Sequence, residues 1–141
     1  MVHLRRRLQI ANRQELLRRF LRRGEFALML LNLTANAAQA MPEGGRFKLR
    51  VSRSAADDDV AIEVNDNGHG IPADVLERIF DPFFTTRPPG QGTGLGLAVV
   101  AGLVADSHGT ISVDSRPGEG TTFLIRLPLV EEEQRKDDRA A

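Results

Sequence analysis

The chain is 141 residues long, 41% hydrophobic and 27% charged, a composition that supports one soluble α+β or α/β domain with its own core. Lys and Arg balance Asp and Glu at 19 each, so net charge points to neither nucleic acid nor an acidic membrane, and the absence of Trp and Tyr argues against stacking on single strands. With no Cys, a disulfide framework, a thiolate metal site and a cysteine nucleophile are excluded, in keeping with a reducing cytoplasm. The basic N-terminus has no apolar stretch after it of the signal-peptide kind, and runs such as Phe26 to Leu31 are too short for a bilayer, so no direct membrane contact is expected.

The expected organisation is a basic segment over 1–25, one folded domain over 26–130 and a charged tail over 131–141. In the first segment Leu16, Leu17, Phe20 and Leu21 fall at helical spacing among Arg13, Arg18, Arg19, Arg22 and Arg23. A solvated amphipathic helix, a docking surface for an acidic partner and a linker remnant all fit it. Leu8 and Ile10 could instead form a short edge strand.

From Phe26 to Met41 the spacing predicts a helix whose apolar stripe is Phe26, Leu30, Leu33, Ala37 and Ala40. Asn32, Asn36 and Gln39 share another face. Asn is a poor helix former, so two of them one turn apart suggest a use for their amide oxygens, which suit a Mg²⁺ that keeps its waters and bridges to phosphates. Two buried Asn bonded to neighbouring backbone would read the same way. Pro42, Gly44 and Gly45 end the helix.

Arg46 to Val51 and Val60 to Val64 alternate apolar and polar residues, two strands of a half-exposed sheet. Asn65-Asp66-Asn67-Gly68-His69-Gly70-Ile71-Pro72 then sets an acid at a strand end beside two glycines, and Pro72 opens a short helix over Ala73 to Phe80. Gly68, Gly70 and Ala73 match the dinucleotide fingerprint in form, but no Asp or Glu lies between Asp81 and Asp106 to hold a ribose. A P-loop is also absent.

Phe80, Phe83 and Phe84 read as anchors for a mobile loop, and Arg87 is the only Lys or Arg between Arg78 and Arg116. Four alternate glycines follow, Gly90, Gly92, Gly94 and Gly96, running directly into a helix over Leu95 to Asp106. Such a loop lets the backbone approach an anion, whose charge the helix N-terminus favours. A glycine-rich surface linker is the plainer alternative. Thr110 to Asp114 and Thr121 to Leu127 are two more strands, joined by a hairpin at Pro117, Gly118 and Gly120.

Five blocks in this order carry a resemblance. They are Leu31-Asn32-Leu33-Thr34-Ala35-Asn36-Ala37, Asp66-Asn67-Gly68-His69-Gly70-Ile71, Phe80-Asp81-Pro82-Phe83-Phe84, Gly92-Thr93-Gly94-Leu95-Gly96-Leu97 and Gly118-Glu119-Gly120-Thr121 with Phe123 and Leu127-Pro128. Together they resemble the N box, first glycine box, phenylalanine box, second glycine box and third glycine box of the ATP-binding catalytic domain of bacterial sensor histidine kinases. That Bergerat-type superfamily also includes gyrase-type topoisomerases, mismatch-repair ATPases and a heat-shock chaperone. The likeness covers about residues 26 to 128 and is nearest to the nitrogen-regulation type, with its short Thr-Thr-Arg lid.

The resemblance implies a two-layer α/β sandwich, with a mixed sheet of four or five strands carrying three main helices. It implies ATP and Mg²⁺ as cofactors, with Asn36 holding the metal, Asn32 beside the phosphates and Arg87 as the phosphate cation. Asp66 would accept from the adenine amine, Gly70 would let the base approach, Thr121 would support the base through water, and Gly92 to Gly96 would cradle the phosphates. Gly68, Ile71, Phe80, Thr86, Thr93, Leu95 and Leu97 complete the implied binding set. The implied activity is transfer of the γ-phosphoryl group to a histidine on a separate dimerisation domain, in cis or in trans, and through it to a response regulator.

Several positions depart from the pattern. Hydrolysing relatives carry Glu where this chain has Asn32, so efficient hydrolysis is not expected. Gln39 replaces a usual Lys or Arg, Arg22 a frequent Asp and Thr110 a usual Gly. His3, His69 and His108 lack the acceptor motif and are read as non-acceptors, which makes the chain a catalytic domain alone. An ATP-hydrolysing module and a nucleotide-ordered interaction module without catalysis are the alternatives.

Overall fold

The computed structural model of the chain describes residues 24–54, 59–88, 90 and 92–128; the basic segment before Gly24 and the tail after Pro128 lie outside the described residues. Among the described residues four strands form the sheet: β1 (Phe47–Ser54), β2 (Asp59–Asp66), β3 (Thr110–Ser115) and β4 (Thr121–Pro128). Their spatial order is β1-β2-β4-β3. Helices α1 (Glu25–Ala40), α2 (Ala73–Leu76) and α3 (Gly96–Asp106) complete the described elements. The expected two-layer α/β sandwich is present.

The sheet is antiparallel in every described pairing, where a mixed one was expected. Short connections join β1 to β2 and β3 to β4, and a short connection can only return a strand antiparallel. The long passage from β2 through α2 and α3 delivers β3 to the far edge, beyond β4. The alternative edge strand expected at Leu8 and Ile10 lies outside the described residues.

Register converts the period-2 alternation into rows across the inner face. Leu49, Val64, Phe123 and Val113 form one row, and Val51, Ile62, Ile125 and Ile111 the next. On the outer face Arg50 pairs with Glu63, and Asn65 Nδ2 donates to Thr122 Oγ1 at 2.7 Å. Across the end nearest the glycine-rich loops the inner row carries three polar residues, Asp66, Thr121 and Ser115, beside Phe47.

Helices α1 and α3 lie side by side on this inner face. Met29, Leu33, Val100, Val104, Phe123 and Ile125 are the fully buried side chains between the layers. Each contributes roughly 1.5–3 kcal/mol by leaving water. The buried stripe of α1 is Met29, Leu33 and Ala37, whereas the spacing had favoured Phe26, Leu30 and Ala40, which the structure leaves half-buried. Leu31 points outward at 67% exposure.

The ends of α3 explain its length. Beyond Ser107 the chain passes through His108 at φ 58, and the His108 and Gly109 amides donate to Ala105 O and Val104 O at 2.9 Å each. That pair of bonds closes the last turn and stops the helix. Helix α2 is shorter than the expected 73–80 span. After Leu76 the amides of Arg78 and Asp81 turn back on Val75 O and Arg78 O at 2.9 and 3.0 Å, so residues 77–80 are successive turns.

Candidate functional site

At the centre of the polar row stand two buried polar residues, Asp66 and Thr121, each 3% exposed and facing each other in register across β2 and β4. Asp66 Oδ1 accepts the Gly68 amide at 2.9 Å, and among the described residues Oδ2 has no partner. With the residue buried and this oxygen not tied to an internal partner, Oδ2 is an acceptor open to a donor from outside the chain.

The loop after β2 is fixed over this pair from both sides. His69 N–H donates to Ala40 O at 3.0 Å, satisfying a carbonyl at the end of α1, and a Cβ on Gly68 would stand 2.5 Å from the same oxygen. Gly70 has φ 73, and a Cβ there would overlap the Arg116 carbonyl, so no other residue keeps this path. Ile71 N–H donates to Ser115 Oγ at 2.8 Å, and Gly118 N–H to His69 O at 2.7 Å. The first glycine block, the hairpin after β3 and the polar row are therefore one hydrogen-bonded unit.

A second group gathers at the start of α3. Asn32 Oδ1 lies 3.1 Å from where a Gly96 Cβ would be, so the second glycine block passes directly over the N box. Asn32 Nδ2 donates to Leu28 O at 2.9 Å, which turns its oxygen toward Gly96. The α3 N-terminus has no side-chain cap and no acid in its first turn. Its leading amides thus remain available to an anion, with the helix dipole in support.

Helix α1 links the two groups. From Asn32 beside Gly96 to Ala40 beside Gly68 is eight residues, about 12 Å at 1.5 Å per residue. Asn36 stands between them, half-buried, and its side chain makes no hydrogen bond among the described residues. Its neutral oxygen suits a Mg²⁺ that keeps waters and phosphate oxygens as its other ligands. Among the described residues there is no group of three His, Cys, Asp or Glu side chains to hold a metal without such help.

The phenylalanine block differs in detail from expectation. Phe80 packs edge-on against Phe123 with ring centroids 6.3 Å apart, and Arg78 Cζ sits 4.5 Å over the Phe84 ring. Those two rings are anchors. Phe83 anchors by its backbone instead: its side chain is 75% exposed, its φ is 66, and its amide donates to Gly94 O at 3.0 Å. Gly94, at φ 70, abuts the Phe83 main chain so closely that any side chain would collide with it. The connection from Phe84 to Thr93 is thereby pinched at its base.

Within that connection Arg87 N–H donates to Thr85 Oγ1 at 3.1 Å, and Arg87 Cδ lies 2.9 Å from where a Gly92 Cβ would be. Leu95 N–H is held by Thr93 Oγ1 at 3.3 Å, Leu97 packs on the core, and Thr86 is exposed. Of the residues expected from sequence, Asp66, Gly68, Gly70, Ile71 and Thr121 meet at the sheet end, and Asn32 meets Gly96 at the α3 N-terminus. Phe80 belongs to the core flank, and Arg87 and Thr86 to the pinched connection. Ser115 was missed, although the alternation of Ile111 and Val113 continues to it.

The pattern that defines histidine kinase-, DNA gyrase B-, and HSP90-like ATPases matches residues 23–131. The chain is 50% identical over 128 residues to the sensor kinase CckA of Brucella abortus (strain 2308), covering 82% of this chain and 14% of that protein. It is 48% identical over 101 residues to the sensor histidine kinase ZraS of Escherichia coli (strain K12), covering 72% of this chain and 21% of that one. Against the sensory histidine kinase/phosphatase NtrB of Azospirillum brasilense the identity is 38% over 131 residues, 84% of this chain and 32% of the relative. The chain thus spans a third or less of these relatives. Among solved structures, full-length ShkA in complex with AMPPNP superposes with a TM-score of 0.65 at 34% identity, over 74% of this chain and 21% of that one. The nucleotide-free catalytic domain of histidine kinase ThkA gives 0.61 at 36% identity, over 71% and 63%. With fold, polar row and glycine blocks in agreement, the chain belongs to the histidine kinase-, DNA gyrase B-, and HSP90-like ATPases, in the branch of the sensor histidine kinases.

Proposed function

We propose that this domain binds ATP with Mg²⁺ and donates the γ-phosphoryl group to a histidine carried by a separate dimerisation domain, from which it passes to a response regulator. The observation that carries the reading is the pairing of a buried carboxylate acceptor, Asp66, with an uncapped helix N-terminus at Gly96, at opposite ends of one face of α1. A base with an exocyclic amine fits the first and a polyphosphate the second.

In this reading Asp66 Oδ2 accepts from the base, Thr121 flanks it as a second acceptor, and Gly70 leaves room for the ring. The amides at Gly94, Gly96 and Leu97 meet the phosphates, with Arg87 brought over them from the pinched connection. Asn36, seconded by Asn32, would hold the Mg²⁺, which supplies charge neutralisation for the phosphate oxygens. Phosphoryl transfer asks the protein chiefly for positioning and charge. No carboxylate stands at Asn32 to activate water, which favours transfer over hydrolysis.

The described histidines are already engaged: His69 Nδ1 lies 2.8 Å from Gly70 O, and His108 also has a partner. That supports an acceptor on another domain. Among the described residues no helix is long and apolar enough to cross a membrane, and a cytoplasmic setting is where ATP is supplied.

The test is calorimetric titration with AMPPNP, with and without Mg²⁺, of the wild type and Asp66→Asn, followed by transfer to a cognate histidine domain added in trans. Loss of affinity in the variant and label on the added histidine are expected. Unchanged affinity in Asp66→Asn would sink the base assignment, and rapid phosphate release abolished by Asn36→Ala would favour a hydrolysing module.

A further inference from the structure

Ser115 closes β3 on the inner face of the sheet, in the same cross-strand row as Thr121 and Asp66. Its Oγ is met from three directions: the Ile71 amide at 2.8 Å, the Gly120 carbonyl at 2.9 Å and Thr121 Oγ1 at 2.8 Å. A hydroxyl has one proton and two lone pairs. The Gly120 carbonyl can only accept, so it takes the Ser115 proton. The Ile71 amide can only donate, so it takes one lone pair. What remains on Ser115 is the other lone pair, and Thr121 must therefore donate its own proton there.

This inventory fixes the far side of Thr121. With its proton committed to Ser115, the buried Thr121 hydroxyl offers only lone pairs elsewhere. Its partner in register on β2 is Asp66, a carboxylate that also only accepts. The end of the sheet is thus a pair of acceptors side by side. An incoming group with N–H donors is satisfied there, whereas one with a carbonyl at the same place would leave buried acceptors facing one another.

We propose that Ser115 is a specificity-determining positioning residue, which holds the base-binding end of the site as acceptor-only by taking the Thr121 proton and so selects a 6-aminopurine over a 6-oxopurine. The proposal rests on the nucleotide-binding reading above and gives it a source of selectivity. Without Ser115 the Thr121 hydroxyl is free to turn and donate, which would accommodate a carbonyl.

The test is calorimetric measurement of AMPPNP and GMPPNP affinities for the full chain and for Ser115→Ala, Ser115→Thr, Thr121→Val and the double variant Ser115→Ala/Thr121→Val. The wild type should prefer AMPPNP strongly. Ser115→Ala should narrow that preference by about tenfold or more, as expected for one buried mismatched hydrogen bond. Ser115→Thr should restore it, and Ser115→Ala should add nothing in the Thr121→Val background, because Ser115 acts through Thr121. A Ser115→Ala chain that loses affinity for both nucleotides by the same factor would overturn the proposal, since a merely structural role does just that. Additive effects in the double variant, or a wild type that binds both nucleotides equally, would overturn it too. A wild type that binds neither nucleotide refutes the nucleotide-binding reading itself. Should circular dichroism show Ser115→Ala unfolded, Ser115→Cys, with a weak thiol in the same volume, is read by the same preference ratio.

Discussion

Replacing the alternating glycines singly by alanine separates three physical situations within one loop. Gly90 has φ +86 and open space where a Cβ would go. Gly92 lacks a positive φ, and the nearest atom to its added Cβ, at 2.9 Å, belongs to the flexible Arg87 side chain. Gly94 combines φ +70 with the Phe83 Cα and O at 2.7 Å. Alanine at Gly90 therefore meets only the left-handed backbone cost, about 1–2 kcal/mol. At Gly92 it displaces a side-chain end and should change little, within about 0.5 kcal/mol. At Gly94 the backbone cost is joined by a main-chain collision relieved only by breaking the Phe83 N–H to Gly94 O bond, worth about 1 kcal/mol more. If the bound state needs the pinched loop, Gly94→Ala should weaken AMPPNP binding by about 30- to 150-fold, at 1.4 kcal/mol per factor of ten. Gly90→Ala should weaken it by about five-fold or somewhat more. The assay is calorimetric titration, with thermal unfolding as a control for the fold. A Gly94→Ala affinity within threefold of wild type, or a Gly90→Ala loss as large as that of Gly94→Ala, would refute the reasoning.

Three further outcomes are expected. Asn36→Ala should leave thermal stability nearly unchanged, because this side chain makes no hydrogen bond among the described residues, yet should erase the gain in nucleotide affinity on adding Mg²⁺; a Mg²⁺ effect of the original size would remove Asn36 from the metal. Met29→Ala, at a fully buried position, should cost about 2–5 kcal/mol and lower the melting temperature by on the order of 10 °C. Leu31→Ala, on the exposed side of the same helix, should stay within about 0.5 kcal/mol, and a reversed order in denaturant titration would mean that α1 presents a different face to the sheet.

The period-2 alternation of β2 and β4 was readable because one face is buried and the other wet, and Asp66 was readable as an acid at the end of such a strand. The blocks around Asn36, Gly94 and Gly120 were readable through their order along the chain. What sequence could not supply is whatever depends on partners distant in sequence. Ser115 gains its meaning only from register with Thr121, and Phe83 from a backbone bond to Gly94. Strand direction followed from which elements the chain links by short hairpins. Met29 was missed because a stripe drawn from Phe26 is turned by a fraction of a helical turn from the stripe the sheet selects, and a helix with no charge from Phe26 to Met41 gives no charged face to correct it. The short α2 reflects turns after Leu76 that a Pro-opened helical pattern does not announce.

The strand order also bears on how the domain folds. The pairings β1 with β2 and β3 with β4 join near neighbours in sequence, and such hairpins form within microseconds. Within the sheet, among the described residues, the seam between β2 and β4 joins the two hairpins, with Asn65 bonding Thr122 some 57 positions later. Closing that long interval is the entropically costly step, and Asp66 comes beside Thr121 in the same event. The base site therefore does not exist in either hairpin alone. A ligand bound across the seam would be released only when the seam opens or the ligand leaves, so nucleotide should retard unfolding of the whole domain and not of one half.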